Sequence, residues 1–128
     1  MAAKIVSVTQ RGDFRKTDRF LHNLIGAHYR RLLDHYGRMG VNALAAATPH
    51  DSGKTADSWG YEIAEENGRL AVYWTNTNIQ NGVNIAIILQ YGHATRNGGW
   101  VEGIDYINPA MRPVFEKMAE EAWKEVIG

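Results

Sequence analysis

The residues best suited to chemistry in this chain are its five histidines, and their spacing argues against most of what histidine does. His22, His28 and His35 lie on a stretch of helical periodicity, separated by roughly 9 and 10.5 Å along a helix axis. Zinc holds its nitrogen ligands at about 2 Å, and ligands that share a helix usually sit one turn apart, as in His-x-x-x-His. With no cysteine and no compact His/Asp/Glu cluster, neither a metal nor any other cofactor is expected. His28 falls on the apolar stripe and is expected to be partly buried and hydrogen-bonded, with His22 and His35 at the surface or on the helix flank.

His50-Asp51-Ser52 has the side chains of a hydrolytic triad, yet adjacent residues on one loop do not point at one another, and triads draw their members from separate segments. A turn in which Asp51 or Ser52 bonds the backbone and Gly53 takes positive φ accounts for the same residues. Gly-x-Ser-x-Gly, the phosphate-cradling Gly-x-x-x-x-Gly-Lys and the dinucleotide fingerprint are all missing from the sequence. Glu65-Glu66 and Glu120-Glu121 are read as solvated pairs on a hairpin tip and a helix surface. No catalytic constellation emerges, so the chain is not expected to be an enzyme. Arg11, Arg15, Lys16 and Arg19 with Arg30-Arg31 are suited to phosphate contacts, but the formal charge is zero. Sequence-specific nucleic-acid binding is not expected, and passive proximity to DNA stays open.

The elements that must position these residues read as follows. Lys4 to Gln10 alternates weakly before Gly12-Asp13, so residues 1–12 are an edge strand or an ordered arm. From about Phe14 to Ala47, Leu21, Leu24, His28, Leu32, Tyr36, Met39, Ala43 and Ala46 recur at helical steps, for about eight turns. Asp13 or Thr17 can cap this helix, and Thr48-Pro49 stops it. Gly37 and Gly40 interrupt it, each at about 1 kcal/mol relative to alanine, which predicts a bend or weak point.

Ser58–Glu66 and Arg69–Asn76 flank Asn67-Gly68, the preferred pair for a two-residue hairpin turn. That turn sets Ile63 opposite Val72, Tyr61 opposite Trp74, Glu62 opposite Tyr73 and Glu66 opposite Arg69, with Trp59 and Leu70 on the aromatic face. Thr75 to Gly82 is polar and turn-rich. Val83 to Tyr91 fits a buried strand or a short helix, and a helical turn passing into a strand is favoured. Asn108 is placed as the cap of a last helix with Pro109 in its first position and Pro113 kinking it, and its stripe is Met111, Phe115, Met118, Ala122 and Val126 beside Val114, Ala119 and Trp123. The expected fold is therefore α+β: a single domain over residues 1–128, with the long N-terminal helix and the C-terminal helix on one face of a small antiparallel sheet containing a central β-hairpin.

Composition narrows the setting. A chain of 128 residues suffices for one hydrophobic core. The absence of cysteine is compatible with a reducing assembly compartment. Neither a leader nor a membrane span is indicated, since the longest purely apolar run, Ile85 to Leu89, is far shorter than the roughly 20 residues a spanning helix needs. Charge is unevenly placed: residues 1–40 carry eight Lys/Arg against three Asp/Glu, +5, and residues 41–128 carry six against eleven, −5. Two solvated faces of different sign account for this split. So does head-to-tail packing of identical subunits, a contact that closes into rings when the rotation permits.

The stretch Ile85 to Ala110 remains. Residues 92–105 form a glycine-rich loop longer than most connections, and long loops of this kind are functional or disordered. Trp100 with Arg96 and Glu102 suits an inter-subunit contact, or else Trp100 folds back over the sheet. Tyr91-Gly92-His93, Gly98-Gly99-Trp100-Val101, Gly103 and Asp105-Tyr106-Ile107-Asn108-Pro109-Ala110 resemble the small tail-component proteins of tailed phages and prophages, the HK97 gp10-like family. Thr48-Pro49 with Ser52-Gly53, Ser58-Trp59 and Gly12-Asp13-Phe14 extend the resemblance over most of the chain. Ala94-Thr95-Arg96-Asn97 departs from it, where relatives commonly have glycine and then Thr-Gly after the histidine.

What the resemblance implies is a structural virion protein of a tailed bacteriophage, a tail-completion or head-to-tail joining subunit, plausibly of a hexameric ring in the neck. It would be made in the host bacterial cytoplasm and would meet stopper, tail-terminator or tail-tube proteins. Tyr91, His93, Arg96, Trp100, Val101, Glu102 and Asp105, with Arg11 and Arg15 of the N-terminal arm, are the expected interface residues, and the loop is expected to be mobile until assembly orders it. The alternatives are the neighbouring adaptor, stopper and terminator roles, and a small histidine-dependent hydrolase or nuclease using His50 and His93. If the charge split drives head-to-tail packing, the assembled fraction in sedimentation should fall as salt rises and the Debye length shortens. Assembly indifferent to salt would discard that contribution.

Overall fold

The computed structural model describes residues 3–10, 19–49, 53–67 and 69–127, with side chains in 28–49, 53–67 and 69–121. In chain order the elements are β1 (Ala3–Gln10), α1 (Arg19–Ala47), α2 (Gly53–Ala56), β2 (Trp59–Glu66), β3 (Arg69–Asn76), β4 (Ile79–Gln80), β5 (Val83–Asn84), α3 (Ile85–Tyr91), β6 (His93–Ala94), β7 (Trp100–Val101) and α4 (Ile107–Ile127).

The centre of the sheet is the hairpin β2–β3. Asn67 takes φ of 52°, the left-handed conformation that a tight hairpin turn requires. Ile63 then faces Val72, Tyr61 faces Trp74, Glu62 faces Tyr73 and Glu66 faces Arg69, the register expected from Asn67-Gly68. β1 pairs antiparallel with β3, giving the order β1-β3-β2. The N-terminal segment is therefore an edge strand, with Val6 and Val8 opposite Trp74 and Val72 and a register irregularity between Lys4 and Val6.

A second Asn-Gly pair, Asn81-Gly82, makes another tight turn, with φ of 52° and 77°. It closes the two-residue strands β4 and β5 into a small hairpin within and just after the segment expected to be plain turn. Beneath it the polar residues are buried. Asn76 and Asn78 are enclosed with Thr55, and each is paired: Asn76 Nδ2 donates to the Thr55 carbonyl at 2.9 Å, Asn78 Nδ2 to Thr55 Oγ1 at 2.8 Å, and the Asn78 amide to Asn76 Oδ1 at 3.0 Å. Closed networks of this kind let polar groups leave water without the cost of orphaned donors.

Both long helices pack on the same sheet face, an α+β arrangement with one core of Leu33, Leu44, Trp59, Val72, Trp74, Ala86, Tyr106, Ile107, Met111 and Val114. Gly37 and Gly40, where a bend or weak point is expected, do not break the helix. The helix is assigned without interruption from Arg19 to Ala47, and the two glycines are its seat on the sheet. A Cβ at Gly37 would overlap the Tyr61 ring, and one at Gly40 would overlap the Trp74 indole. Trp74 Nε1 donates to the Gly37 carbonyl at 2.9 Å, and Tyr61 donates its hydroxyl to Asp34 at 2.9 Å. Burial and that bond hold the Tyr61 phenol above its ordinary value.

The buried stripe of α1 consequently runs through Leu33, Tyr36, Gly37, Gly40 and Leu44, rotated from the expected one. His28 is exposed, its ring edge-on to Tyr29 at 5.5 Å. That corrects its expected burial: the face that docks is defined by missing side chains. His35 is exposed as expected, and the side chains of Leu21, His22 and Leu24 lie outside the described residues. Thr48 ends α1, donating its hydroxyl to the Leu44 carbonyl at 2.6 Å and accepting from Trp59 Nε1 at 2.9 Å. The expected caps Asp13 and Thr17 lie outside the described residues. On α4, Met111 and Val114 are buried, Phe115 meets Trp74 edge-on at 6.2 Å between centroids, and Ala119 is exposed. The Tyr36 hydroxyl donates to Glu121 across the two helices. Pro113 lies inside α4, which continues to Ile127, and the side chains of Ala122, Trp123 and Val126 are outside the described residues.

The order expected for Val83 to Tyr91 is also corrected. The strand comes first, at Val83–Asn84, and Ile85–Leu89 lies in the helix α3. The Asn84 side chain decides this by accepting the Ala86 amide at 3.1 Å, an N-cap. Of the run taken as core, Ala86 is fully buried and Ile85, Ile87, Ile88 and Leu89 are half-buried.

Replacing a helix-interior glycine by alanine ordinarily stabilises a protein by about 1 kcal/mol. Gly40→Ala is expected to do the opposite, destabilising by about 1–3 kcal/mol as an overpacking change against Trp74. Urea unfolding measures it, and a midpoint that rises would contradict the seat.

Candidate functional site

The residues expected to make contacts gather where α3 ends and α4 begins, and two side chains join those helices. Gln90 is buried, and its Oε1 accepts the amides of Tyr106 at 3.0 Å and Ile107 at 2.9 Å. This supplies from α3 a cap for the first N–H groups of α4, which have no partner inside their own helix. Its Nε2 donates to Asp105 Oδ1 at 2.7 Å, and Asn108 Nδ2 donates to the same oxygen at 2.9 Å. The expected cap at Asn108 is therefore corrected. The helix starts at Ile107, with Asn108 and Pro109 inside its first turn, where a missing proline N–H costs no helical bond. The Tyr106 hydroxyl returns to α3, donating to the Ala86 carbonyl at 2.7 Å, and burial pushes its pKa up to about 12.

Between the helices the chain crosses itself. Gly92 has φ of 81° and its amide donates to the Ile88 carbonyl at 2.8 Å, closing α3. A Cβ at Gly92 would overlap the Val101 carbonyl, and one at Gly103 would overlap the Gln90 carbonyl. Both glycines are there because two backbones touch. Beyond the crossing, residues 92–105 are more regular than expected. His93 pairs with Val101 and Ala94 with Trp100, while the turn is closed by Thr95 N–H to the Gly99 carbonyl at 2.9 Å and by Gly99 N–H to Thr95 Oγ1 at 3.0 Å. Ala94-Thr95-Arg96-Asn97, where the sequence departs from the family pattern, thus begins a tight turn completed by Gly98 at φ of 78°.

This crossing carries Tyr91, Trp100, Val101 and Ile104 with 69%, 58%, 45% and 60% of their surface in water. Single exposed apolar residues are ordinary; these four are gathered on one short braced feature. Trp100 stands mostly in water with one edge of its indole beside Gly92. Arg96 and Glu102 are exposed on the same hairpin and its exit. Asp105 is exposed but engaged with Gln90 and Asn108. Arg11 and Arg15 lie outside the described residues. Ile104 was not anticipated: it stands between Gly103 and Asp105 without any period, and only the Gly92–Gly103 crossing, with Ile104 N–H bonded to the Leu89 carbonyl at 2.8 Å, turns it out.

His93 is half-buried, and its Nδ1 is enclosed without a hydrogen-bond partner among the described residues. A base–orienter pair like that of a hydrolase needs an acceptor at this nitrogen. His50, Asp51 and Ser52 lie outside the described residues. Among the described residues no group of three His, Asp or Glu could hold a metal ion, and no helix is long and apolar enough to cross a membrane.

The bonds from Gln90 and Asn108 hold the Asp105 carboxyl below the usual 3.8. A depressed carboxylate pKa favours the folded state above the pH at which the unfolded group titrates, and that contribution drains away as pH falls through the lowered value. Wild-type protein should therefore lose stability relative to Asp105→Asn on acidification from about pH 6 to about pH 2.5. Equal losses in urea titrations of the two proteins would contradict it. No family model matches the sequence, and neither a curated protein nor a solved structure shows significant similarity to it.

Proposed function

We propose that this chain is a ring-forming structural subunit in the neck of a tailed phage virion, completing the tail or joining it to the head. The observation that carries the proposal is the exposed quartet Tyr91, Trp100, Val101 and Ile104 on a crossing held by Gln90 and Tyr106. Rigid aromatic anchors with Arg96 and Glu102 at their rim have the anatomy of a protein–protein contact, in which a few well-packed residues supply most of the binding energy. The sequence resemblance to phage tail components supports the same reading and adds its setting, a plausibly hexameric ring facing stopper, terminator or tail-tube proteins. In this account the molecule works by assembly. The helices and sheet are the rigid body, and the crossing presents the contact.

The test separates contact from fold. Trp100→Ser combined with Ile104→Ser should leave the circular dichroism spectrum and melting temperature close to wild type, because both side chains already lie mostly in water, and should abolish higher-order species in light scattering. A phage carrying Trp100→Ala should yield tail-less heads or unjoined tails. A double variant that still assembles, or a protein that stays monomeric with tail proteins and shows a turnover abolished by His93→Ala, would overturn the proposal.

A further inference from the structure

The geometry points to a self-modification site at Asn81, whose side-chain amide closes on the Gly82 nitrogen and passes through a cyclic imide to aspartate and isoaspartate. It stands apart from the assembly reading. The chain holds three Asn-Gly pairs, at 67–68, 81–82 and 97–98, and a glycine after asparagine leaves the following nitrogen open to approach. The fold treats the three differently. The reaction needs a free nucleophile: hydroxide takes the Gly82 N–H proton, the nitrogen attacks Cγ of Asn81, and the bond from Cγ to the side-chain nitrogen breaks, releasing ammonia. Water then opens the succinimide ring at either carbonyl. One opening gives aspartate, and the other gives isoaspartate, in which the side-chain carbons have entered the main chain. One water is consumed and one ammonia released, with no redox change.

Asn81 and Gly82 meet these demands at the exposed tip between β4 and β5. Apart from its chain neighbours, nothing lies within 4 Å of where a Gly82 side chain would begin, and among the described residues nothing accepts the Gly82 N–H. The ladder below has two pairs, Ile79 with Asn84 and Gln80 with Val83, and so short a hairpin opens locally at low cost. Asn81 also starts from φ of 52°, a left-handed conformation that L-residues disfavour. The other pairs are restrained. Asn67 shares that φ, but its turn closes a ladder of eight pairs, from Glu66–Arg69 to Trp59–Asn76, with β1 on the far side of β3. At the third pair the nucleophile is engaged, because Gly98 N–H donates to the Thr95 carbonyl at 3.2 Å and the next amide, Gly99, to Thr95 Oγ1 at 3.0 Å. Conversion at Asn81 reaches beyond the tip. Isoaspartate lengthens the main chain inside the turn and disturbs the register that brings Asn84 to the Asn76 carbonyl and the Ala86 amide.

The test incubates the full chain at mildly alkaline pH, folded and in urea. Its tryptic peptides 55–69, 70–96 and 97–117 carry one Asn-Gly pair each, so mass spectrometry follows the exchange of amide for acid at each site. Released ammonia and methyl transfer by an isoaspartate-specific methyltransferase are independent readouts. In folded protein Asn81 is expected to convert several-fold faster than Asn67 or Asn97, and in urea the three rates should draw together. Asn81→Gly, which suits the positive φ of the turn, should remove most of the ammonia and methyl acceptance of the folded chain. Equal rates at the three pairs in folded protein, or a lead by Asn67 or Asn97, would overturn the assignment. So would ammonia release that Asn81→Gly leaves unchanged.

Discussion

The contact on which the rest of this structure depends is the seating of Trp74 against the glycine face of α1. An indole that is fully buried must find a partner for its N–H, and it finds the Gly37 carbonyl only because Gly37 and Gly40 let the ring approach the helix backbone. The same indole meets Phe115 from α4. One side chain at the centre of the three-stranded sheet thus brings sheet, first helix and last helix together, and the close-packed core follows from that approach. The two glycines lower helix propensity and raise packing density, and in a buried face the second effect outweighs the first.

From this seat the chain is braced outward toward the exposed surface. Thr55, Asn76, Asn78 and Asn84 close a polar corner under the small hairpin β4–β5, and Asn84 starts α3. Gln90 and Tyr106 then bind α3 to α4 in both directions. The crossing at Gly92 and Gly103 is what remains between those fixed ends, and it turns four apolar side chains into water. A braced apolar, aromatic surface has less conformational entropy to lose on binding, which suits the assembly role proposed for this chain.

Much of this was legible in the residues. Asn67-Gly68 dictated the hairpin register because a two-residue turn leaves one pairing open, and Thr48-Pro49 marked the end of α1 because the residue before proline avoids helix. What escaped has physical causes. Gly37 and Gly40 look like defects when only local propensity is considered, and their role exists only once Tyr61 and Trp74 arrive from the hairpin, far along the chain. Asn108 has the right chemistry for a cap, but Gln90 reaches the helix start first. Asn84 sets α3 after a two-residue strand too short to leave a periodic signal. Asn81-Gly82 did carry its signal, the same pair as in the first hairpin, flanked by strands too short to be noticed. Of the exposed quartet, Tyr91, Trp100 and Val101 were visible as apolar residues in a polar, glycine-rich setting, whereas Ile104 needed the crossing.

The central claim is that this molecule acts by closed self-assembly. Native mass spectrometry of the full chain over a range of concentrations addresses it directly. The account predicts a single dominant oligomer of fixed copy number growing at the expense of monomer, with six copies the number suggested by the resemblance to phage tail components. Monomer alone at every concentration, or an open-ended series without a preferred size, would contradict it.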